Sequence, residues 1–214
     1  MKYIIMCGGK YNNFEIPKQL KVVKNERLVD RTIRLLKENN ISDIAITSLD
    51  PRFDSCGVER IEHKNEFEVK DNVKIKGFWL DAFLPSNEPI TYLYGDVYYS
   101  ENAIKTIINA DTKDILFFGS KNINRPDYFK KWEEPFAFKV YNQKYFRECI
   151  DKAKNLCIQG MCFREPISWE LYRVINGYNI NKHVIDKNYI AIDDYTTDID
   201  CEDDIRRIEE ILWK

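Results

Sequence analysis

Two glycines and a lysine near the start of the chain have the types and spacing of residues that hold a phosphate. An apolar run at residues 3–7 is followed at once by Gly8 and Gly9, and Lys18 follows a proline shortly afterwards. Glycines lack a side chain, so the backbone there can take positive φ and present its N–H groups to a base or phosphate. A lysine adds a full positive charge on a flexible stem. On its own the pattern is as consistent with a structural explanation as with phosphate binding: the glycines would form a tight turn, and the Pro-Lys pair would lie in a solvated loop.

The same stretch excludes two common nucleotide motifs. A P-loop requires Gly-Lys-Ser or Gly-Lys-Thr at a fixed spacing after its first glycine, and a dinucleotide fingerprint requires GxGxxG leading into a helix. The sequence has neither. A phosphate bound here would therefore be held by a different kind of loop.

Two acidic segments add candidate metal ligands. The apolar run at residues 90–94 ends in Gly95 and Asp96. A carboxylate there suits Mg²⁺, which usually takes one or two carboxylates and completes its shell with water and substrate phosphate. Asp198 and Asp200 precede a second acidic stretch near the end of the chain. For Asp200 the residues alone favour a structural role, because aspartate is an excellent helix N-cap and acids in the first turn suit the helix dipole.

Alternating strands and helices are predicted to position these residues. A strand at 3–7, a helix at 28–39 and a strand at 44–47 form a β-α-β unit, which implies parallel strands joined by a right-handed crossover. Ligands of such sheets bind beyond the carboxyl ends of the strands. The first half therefore predicts a nucleotide-type α/β sheet and the second half a mixed extension that shapes a substrate pocket. The later predicted elements are strands at 90–94, 115–118, 137–140 and 189–192, and helices that start at Ser100 and cover 143–153, 168–175 and 201–212.

Bulk properties limit the class of protein. The chain has 214 residues and no linker or repeat at which to divide it, so one domain is predicted over residues 1–214. Its 33 basic and 35 acidic residues give a net charge of −2, which does not indicate a nucleic-acid partner. Six scattered cysteines without a CxxC pair, no signal-peptide pattern and no long apolar stretch predict a cytoplasmic protein with reduced thiols and no membrane span.

Taken in order along the chain, these segments resemble a known family. A strand followed by Gly-Gly, the Pro-Lys-Gln-Leu segment at 17–20, the Tyr-Gly-Asp-Val segment at 94–97 and the Asp-Ile-Asp segment at 198–200 are similar to the nucleotidyltransferases that make activated sugars and alcohols. These include sugar-1-phosphate pyrophosphorylases, cytidylyltransferases and CMP-sugar synthetases. The resemblance extends from residue 3 to about residue 212. It implies a Rossmann-like, mostly parallel sheet with helices on both faces, of the GT-A-like kind.

The resemblance also assigns roles to individual positions. It implies that Lys18 contacts phosphate, that Asp96 binds Mg²⁺, and that Asp200 is a second metal ligand assisted by Asp198. Lys18, Asp96 and Asp200 are therefore the predicted catalytic residues. The predicted nucleotide-binding residues are Met6, Cys7, Gly8, Gly9, Lys10, Lys18, Gly77 and Gly95.

One departure from the family pattern affects the first loop. Relatives commonly continue it with another glycine and an arginine that grips the triphosphate, whereas this chain has the segment Lys-Tyr-Asn-Asn at 10–13. Lys10 or a later basic residue would have to supply the missing charge. Without it the triphosphate would be held weakly.

The function implied is that of a Mg²⁺-dependent nucleotidyltransferase. It would couple a nucleoside triphosphate, preferably CTP, to a phosphorylated sugar or small alcohol and release pyrophosphate, as in surface-glycan biosynthesis. Its partners would be these two small molecules, and the chain is expected to be a monomer or homodimer. Two alternatives stay open. One is a metal-dependent glycosyltransferase with the DxD motif at 198–200, and the other is a non-catalytic nucleotide-binding relative.

Few residues indicate which base or acceptor is used. Gly77 takes the place of a glycine that contacts the base in relatives, although a helix-starting glycine is nearly as consistent. Glu133 and Glu134 are candidates for the acceptor pocket, where acids suit an amine or hydroxyls, but the segment 132–135 fits a surface turn slightly better. His63 and His183 lie near no motif and are expected to be structural or solvated.

Overall fold

The computed structural model describes residues 1–8, 14–63, 66–121 and 133–212. The strands within these ranges are β1 (Lys2–Met6), β2 (Val22–Val23), β3 (Glu26–Arg27), β4 (Ile44–Thr47), β5 (Glu59–Ile61), β6 (Glu68–Lys70), β7 (Val73–Lys76), β8 (Ile90–Tyr94), β9 (Val97–Tyr98), β10 (Ile115–Ser120), β11 (Pro135–Val140), β12 (Tyr189–Ile192) and β13 (Thr197–Asp198). The α-helices are α1 (Leu28–Glu38), α2 (Glu101–Asn109), α3 (Gln143–Ile158), α4 (Ser168–Ile175) and α5 (Glu202–Leu212). Short 3₁₀ helices are formed by Lys18–Leu20, Pro51–Cys56 and Trp79–Ala82. Across the described ranges, no helix combines the length and the apolar character needed to cross a membrane.

Seven strands form one central sheet in the order β12-β10-β11-β8-β1-β4-β5. β1 is parallel to both β4 and β8, β4 is parallel to β5, and β10 is parallel to β12. β11 runs antiparallel to both of its neighbours, β8 and β10. The prediction of a mostly parallel α/β sheet with a mixed second half is therefore confirmed.

Helices cover both faces of this sheet, which explains why its central strands are apolar on both sides. β1, β4 and β8 are buried along almost their whole length, as is typical of parallel strands. Adjacent residues of β11 contact the two layers: the Phe138 ring packs on Phe146 of α3, whereas Lys139 Nζ donates to the carbonyls of Ile108 and Ala110 at the end of α2. Since side chains alternate between the faces of a strand, α2 and α3 lie on opposite faces.

Ser100 caps the start of α2, as the sequence predicts. Its Oγ accepts a hydrogen bond from the backbone N–H of Ala103 at 2.8 Å and donates to Asp194 at 2.6 Å. Ser100→Ala is expected to lower the free energy of unfolding by about 1 kcal/mol, because an amide at the helix start loses its partner. Urea denaturation of the two proteins measures this difference, and equal midpoints would contradict it.

The last helix, α5, fixes the segment that precedes it. Ile205 and Ile208 are buried with Tyr98 and Leu28 in a small apolar cluster of their own. Ile211, which follows Ile208 at helical spacing, is 38% exposed. The cluster holds the chain before α5 next to β9, and hence close to the end of β8.

Candidate active site

The carboxyl ends of β1 and β8 lie side by side. The two strands pair in parallel along their length, so the residues that follow them are neighbours. The N–H of Gly95 donates to the carbonyl of Met6 at 3.0 Å. Gly8 and Asp96 therefore stand at the same edge of the sheet, where ligands of parallel sheets bind.

Gly95 is required by close packing. A Cβ at this position would lie 2.6 Å from Cys7 Sγ and 2.7 Å from the Met6 carbonyl oxygen. The second contact is to backbone, so any side chain would push the two strand ends apart. The structure gives Gly95 a packing role, and its predicted contact with a nucleotide stays a prediction.

Gly95→Ala is expected to destabilise the protein by about 1–3 kcal/mol, the usual cost of overpacking a well-packed site. Gly8→Ala is the matched control, since a Cβ on Gly8 meets nothing within 4 Å and its φ lies outside the left-handed region. Thermal denaturation of both variants provides the comparison. Equal stabilities for the two variants would show that the strand ends have room to move apart.

Lys18 links two of the predicted metal ligands, Asp96 and Asp200. It begins the 3₁₀ helix Lys18–Leu20, and its Nζ lies 2.7 Å from Asp96 Oδ2 and 3.1 Å from Asp200 Oδ1. The lysine side chain is only 18% exposed. Burial lowers the pKa of this ammonium, but the charges and hydrogen bonds of Asp96 and Asp200 outweigh burial and raise the pKa above its ordinary value. Lys18 is therefore a full cation at neutral pH.

The strand pair β9–β13 brings Asp200 to this position. The two strands are antiparallel, and the N–H of Ile199 donates to the Asp96 carbonyl at 2.8 Å. Helix α5 begins at Glu202, so Asp200 lies one residue before the N-cap position. The backbone N–H groups of Asp200 and Cys201 both donate to the carboxylate of Asp204. The expected capping role for Asp200 is thus replaced by a contact between its carboxylate and Lys18.

The convergence of Asp96 and Asp200 gives a donor set that fits one hard cation. Both carboxylates reach a single ammonium group, so an oxygen of each already lies beside a common positive charge. Within the described part of the chain, no three His, Cys, Asp or Glu side chains are grouped closely enough to hold a metal ion. Two carboxylates match Mg²⁺, which fills its remaining positions with water and phosphate.

A cavity of about 840 Å³ opens beside these residues. Five of the predicted site residues line it: Met6, Gly8, Asp96, Asp198 and Asp200. Cys7, Lys18, Gly77 and Gly95 are described but do not line it. Gly9 and Lys10, which complete the predicted set, lie outside the described residues.

Cys7 is buried in the fold, and Gly77 forms a turn. The Cys7 thiol is buried, and burial followed by the charge of Asp96 raises its pKa well above the ordinary value. Gly77 takes a φ of 78° at the turn before the 3₁₀ helix Trp79–Ala82, and its N–H donates to Asp81 at 3.1 Å. A side chain on Gly77 would also meet the backbone of Phe67 at 3.0 Å. The predicted base contact of Gly77 stays a prediction.

The sequence predicted no role at the cavity for several of the residues that line it, and for others it favoured a different role. Because β11 is antiparallel, its first residues lie at the same edge as the last residues of β1 and β8. Glu133 and Glu134 thus line the cavity, although a surface turn was slightly favoured for them. His63 and His183, which were expected to be structural or solvated, line it as well. The other lining residues without a predicted role include Gln19, Thr47, Trp79, Tyr94, Arg164, Ser168, Trp169 and Arg173.

Comparison of structures shows which known proteins share this architecture. A protein from Bacillus anthracis assigned as a glucose-1-phosphate thymidylyltransferase superimposes with a TM-score of 0.61 at 15% identity, over 98% of this chain and 94% of its own. The inositol-1-phosphate CTP transferase of T. maritima gives 0.52 at 16% identity, over 98% and 95%. The CTP:phosphocholine cytidylyltransferase of Streptococcus pneumoniae gives 0.52 at 18% identity, over 99% and 98%.

Sequence comparison alone does not reach these proteins. No protein-family model matches the chain, and no curated protein matches it significantly. The structural matches nevertheless cover nearly the whole of both chains in each case. The chain therefore has the Rossmann-like fold of the nucleotidyltransferases.

Proposed function

We propose that this protein is a Mg²⁺-dependent nucleotidyltransferase that joins the nucleoside monophosphate part of a nucleoside triphosphate to a phosphorylated sugar or small alcohol. The observation that carries the proposal is the Lys18 ammonium held between Asp96 and Asp200 beside a cavity at the carboxyl edge of the sheet. CTP is the preferred triphosphate, and pyrophosphate is the second product.

The shared fold supports this reaction class. The structural neighbours named above are a thymidylyltransferase and two CTP-dependent transferases, and their named acceptors are phosphorylated sugars or alcohols. Two of the three use CTP, which favours CTP here. The three predicted catalytic residues, Lys18, Asp96 and Asp200, meet in space although Lys18 and Asp200 are separated by 182 positions.

The chemistry requires positioning and charge more than a strong base. An oxygen of the acceptor phosphate attacks the α-phosphorus of the triphosphate, and the bond from that phosphorus to the bridging oxygen breaks, so pyrophosphate leaves with the electron pair. The attacking phosphate is already ionised at neutral pH, so no residue has to remove a proton from it. The fixed cation Lys18 can stabilise negative charge that develops on the transferring group.

Asp96 and Asp200 would hold the magnesium ion that this reaction class uses. When bound, Mg²⁺ neutralises phosphate charge and acts as a Lewis acid on the transferring group. The end of strand β8 positions the Asp96 carboxylate near Lys18. The strand pair β9–β13 positions the Asp200 carboxylate there. Lys18 keeps the two carboxylates together, because its ammonium lies within 3.1 Å of an oxygen of each.

The arrangement of Lys18 also bears on the two alternatives. A glycosyltransferase with a DxD motif at 198–200 gives no task to Lys18, whereas a nucleotidyltransferase uses Lys18, Asp96 and Asp200 together. A non-catalytic relative would bind a triphosphate without turning it over. The segment 10–13, where the usual loop arginine is missing, lies outside the described residues.

Pyrophosphate release separates these functions. The purified protein with Mg²⁺ is tested with each of the four ribonucleoside triphosphates and a panel of phosphorylated sugars, amino alcohols and polyols. We expect release with one triphosphate, and only when a phosphorylated acceptor is present. Consumption of a nucleotide sugar without pyrophosphate release would instead indicate the glycosyltransferase, and triphosphate binding without release the non-catalytic relative.

A further inference from the structure

Two cysteines at the end of α3 are brought together by a tight turn. Cys157 lies in the last turn of α3, and Cys162 follows shortly after the helix ends. The N–H of Met161 donates to the Leu156 carbonyl at 2.9 Å, and the N–H of Gly160 donates to the Cys157 carbonyl at 2.9 Å. These two bonds form a Schellman motif, in which a residue with positive φ ends the helix and reverses the chain. Gly160, with a φ of 71°, is that residue.

The reversal of the chain puts the two thiols in contact. The Cys162 thiol donates a hydrogen bond to the Cys157 sulfur. Both are free thiols and both are partly exposed, whereas Cys7, Cys56 and Cys149 are buried. Two sulfurs that already share a hydrogen atom need only a short approach to reach the bonded separation of about 2.05 Å. Cys157 and Cys162 are therefore placed to react with each other when an oxidant is present.

The surroundings of the pair distinguish its two sulfurs. Burial raises the pKa of the Cys157 thiol above its ordinary value, and the charge of Glu165 adds to this effect. The hydrogen bond from Cys162 and the ammonium of Lys74 act in the opposite direction, because both favour the Cys157 thiolate. For Cys162, burial, then the charge and hydrogen bond of Cys157, and then the charge of Glu170 raise the pKa to about 11. Cys157 is therefore the thiol that ionises more readily, and Cys162 keeps its proton.

The chain that follows Cys162 forms part of the cavity wall. Arg164, which lines the cavity, is separated from Cys162 by a single residue. Glu165 accepts the backbone N–H of Trp79, another lining residue, at 2.7 Å. The same carboxylate pairs with the Lys74 ammonium at 2.9 Å. A movement of Cys162 towards α3 would therefore displace groups that shape the cavity.

We propose that Cys157 and Cys162 form a reversible disulfide that changes the cavity wall, with a low-molecular-weight disulfide such as oxidised glutathione as the oxidant. The Cys157 thiolate attacks one sulfur of glutathione disulfide, so that a mixed disulfide forms and one glutathione thiolate leaves. Cys162 then loses its proton and attacks the Cys157 sulfur, which releases the second glutathione thiolate. In total the two protein thiols give up two electrons and two protons, which convert glutathione disulfide into two glutathione thiols. This modification does not depend on the proposed transferase reaction.

Peptide mapping tests whether the bond forms. Cleavage by trypsin after Lys154 and Arg164 releases both cysteines in one peptide, which contains no other cysteine. After incubation with oxidised glutathione, this peptide is expected to resist thiol alkylation and to be lighter by two hydrogen atoms, and dithiothreitol should restore both thiols. Cys201→Ser is the matched control, because Cys201 is also partly exposed and its removal should leave this oxidation unchanged. A peptide that is still alkylated at both cysteines after the treatment would refute the proposal.

Single variants and pH test the order of attack. Cys162→Ser removes the second thiol, so the mixed disulfide should accumulate as a glutathione adduct on Cys157. Cys157→Ser should form an adduct on Cys162 at least about threefold more slowly, because Cys162 ionises less readily. In the wild type, disulfide formation should become about tenfold faster for each pH unit near neutrality, since both pKa values lie higher and the thiolate fraction rises with pH. Equal rates for the two variants would overturn the assignment of Cys157 as the attacking thiol.

The effect on the cavity is measured separately from the bond. Tryptophan fluorescence should change on oxidation, because Glu165 holds the N–H of Trp79, and the Cys157→Ser protein should not show the change. For pyrophosphate release we expect kcat/KM to fall at least about tenfold in the oxidised protein and to recover with dithiothreitol, because small displacements of positioning groups have large effects on rate. A disulfide that alters neither quantity would overturn the coupling to the cavity. A fluorescence change in a protein that releases no pyrophosphate with any acceptor would support the coupling and refute only the proposed reaction.

Discussion

Lys18→Ala should reduce the rate of pyrophosphate release by about 10²- to 10³-fold, the usual loss when one fixed group that stabilises transition-state charge is removed. The reason is the position of Lys18: its ammonium is anchored by Asp96 and Asp200, and it is fully charged at neutral pH. Steady-state assays with saturating triphosphate and acceptor measure the effect on kcat. Circular dichroism and the thermal midpoint check that the variant is folded.

Lys21→Ala is the control for this experiment. Lys21 lies in the same segment and pairs with Glu202 at 2.5 Å, so its removal costs a nearby ion pair without touching the carboxylates of the site. Its rate is expected to stay near that of the wild type. Lys18→Arg keeps the charge, but a planar guanidinium does not reproduce a compact ammonium between two carboxylates, so only partial activity should return. A folded Lys18→Ala protein with near wild-type kcat would refute the role of Lys18.

The sequence predicted the part of the site that is built from strand ends. Buried apolar runs that stop at a glycine mark the carboxyl ends of β1 and β8, and parallel strands place those ends at one edge. The order of four short segments then indicated that Lys18, Asp96 and Asp200 belong together. The resemblance to a known family supplied that grouping, so no information about contacts in this chain was needed.

The wall of the cavity could not be predicted in the same way. Hydrophobic periodicity identifies a strand but not its neighbours, so nothing in the sequence places β11 between β8 and β10 in reversed direction. That reversal brings Glu133 to the site, and the chain after α3 adds Arg173 and His183 from further away. Likewise, the sequence shows a glycine at position 95 and a cysteine at position 7, but it does not show that the Cys7 thiol lies close enough to exclude a side chain at position 95.

Removal of the charge at Asp96 is predicted to have the second large effect. Asp96→Asn keeps the size of the side chain and its ability to accept a hydrogen bond from Lys18, but it replaces a hard anionic metal ligand with a neutral amide. We expect kcat to fall about 10²-fold or more, and metal affinity to fall at least about tenfold. Mn²⁺ serves as the probe, since electron paramagnetic resonance reports free and bound Mn²⁺ without requiring turnover.

Comparison among the acidic residues makes this prediction specific. Asp200 is 56% exposed and Asp96 30%, so Asp200→Asn should weaken Mn²⁺ binding less than Asp96→Asn, because water can take the place of the more exposed ligand. Asp203→Asn is the control: this exposed residue of α5 pairs with Arg206, and its removal should leave Mn²⁺ binding and kcat unchanged. If Asp96→Asn binds Mn²⁺ as tightly as the Asp203→Asn control, the metal does not bind at Asp96. The contact between Asp96 and Lys18 then serves to orient the lysine, and any loss of kcat in Asp96→Asn should match that of Lys18→Ala.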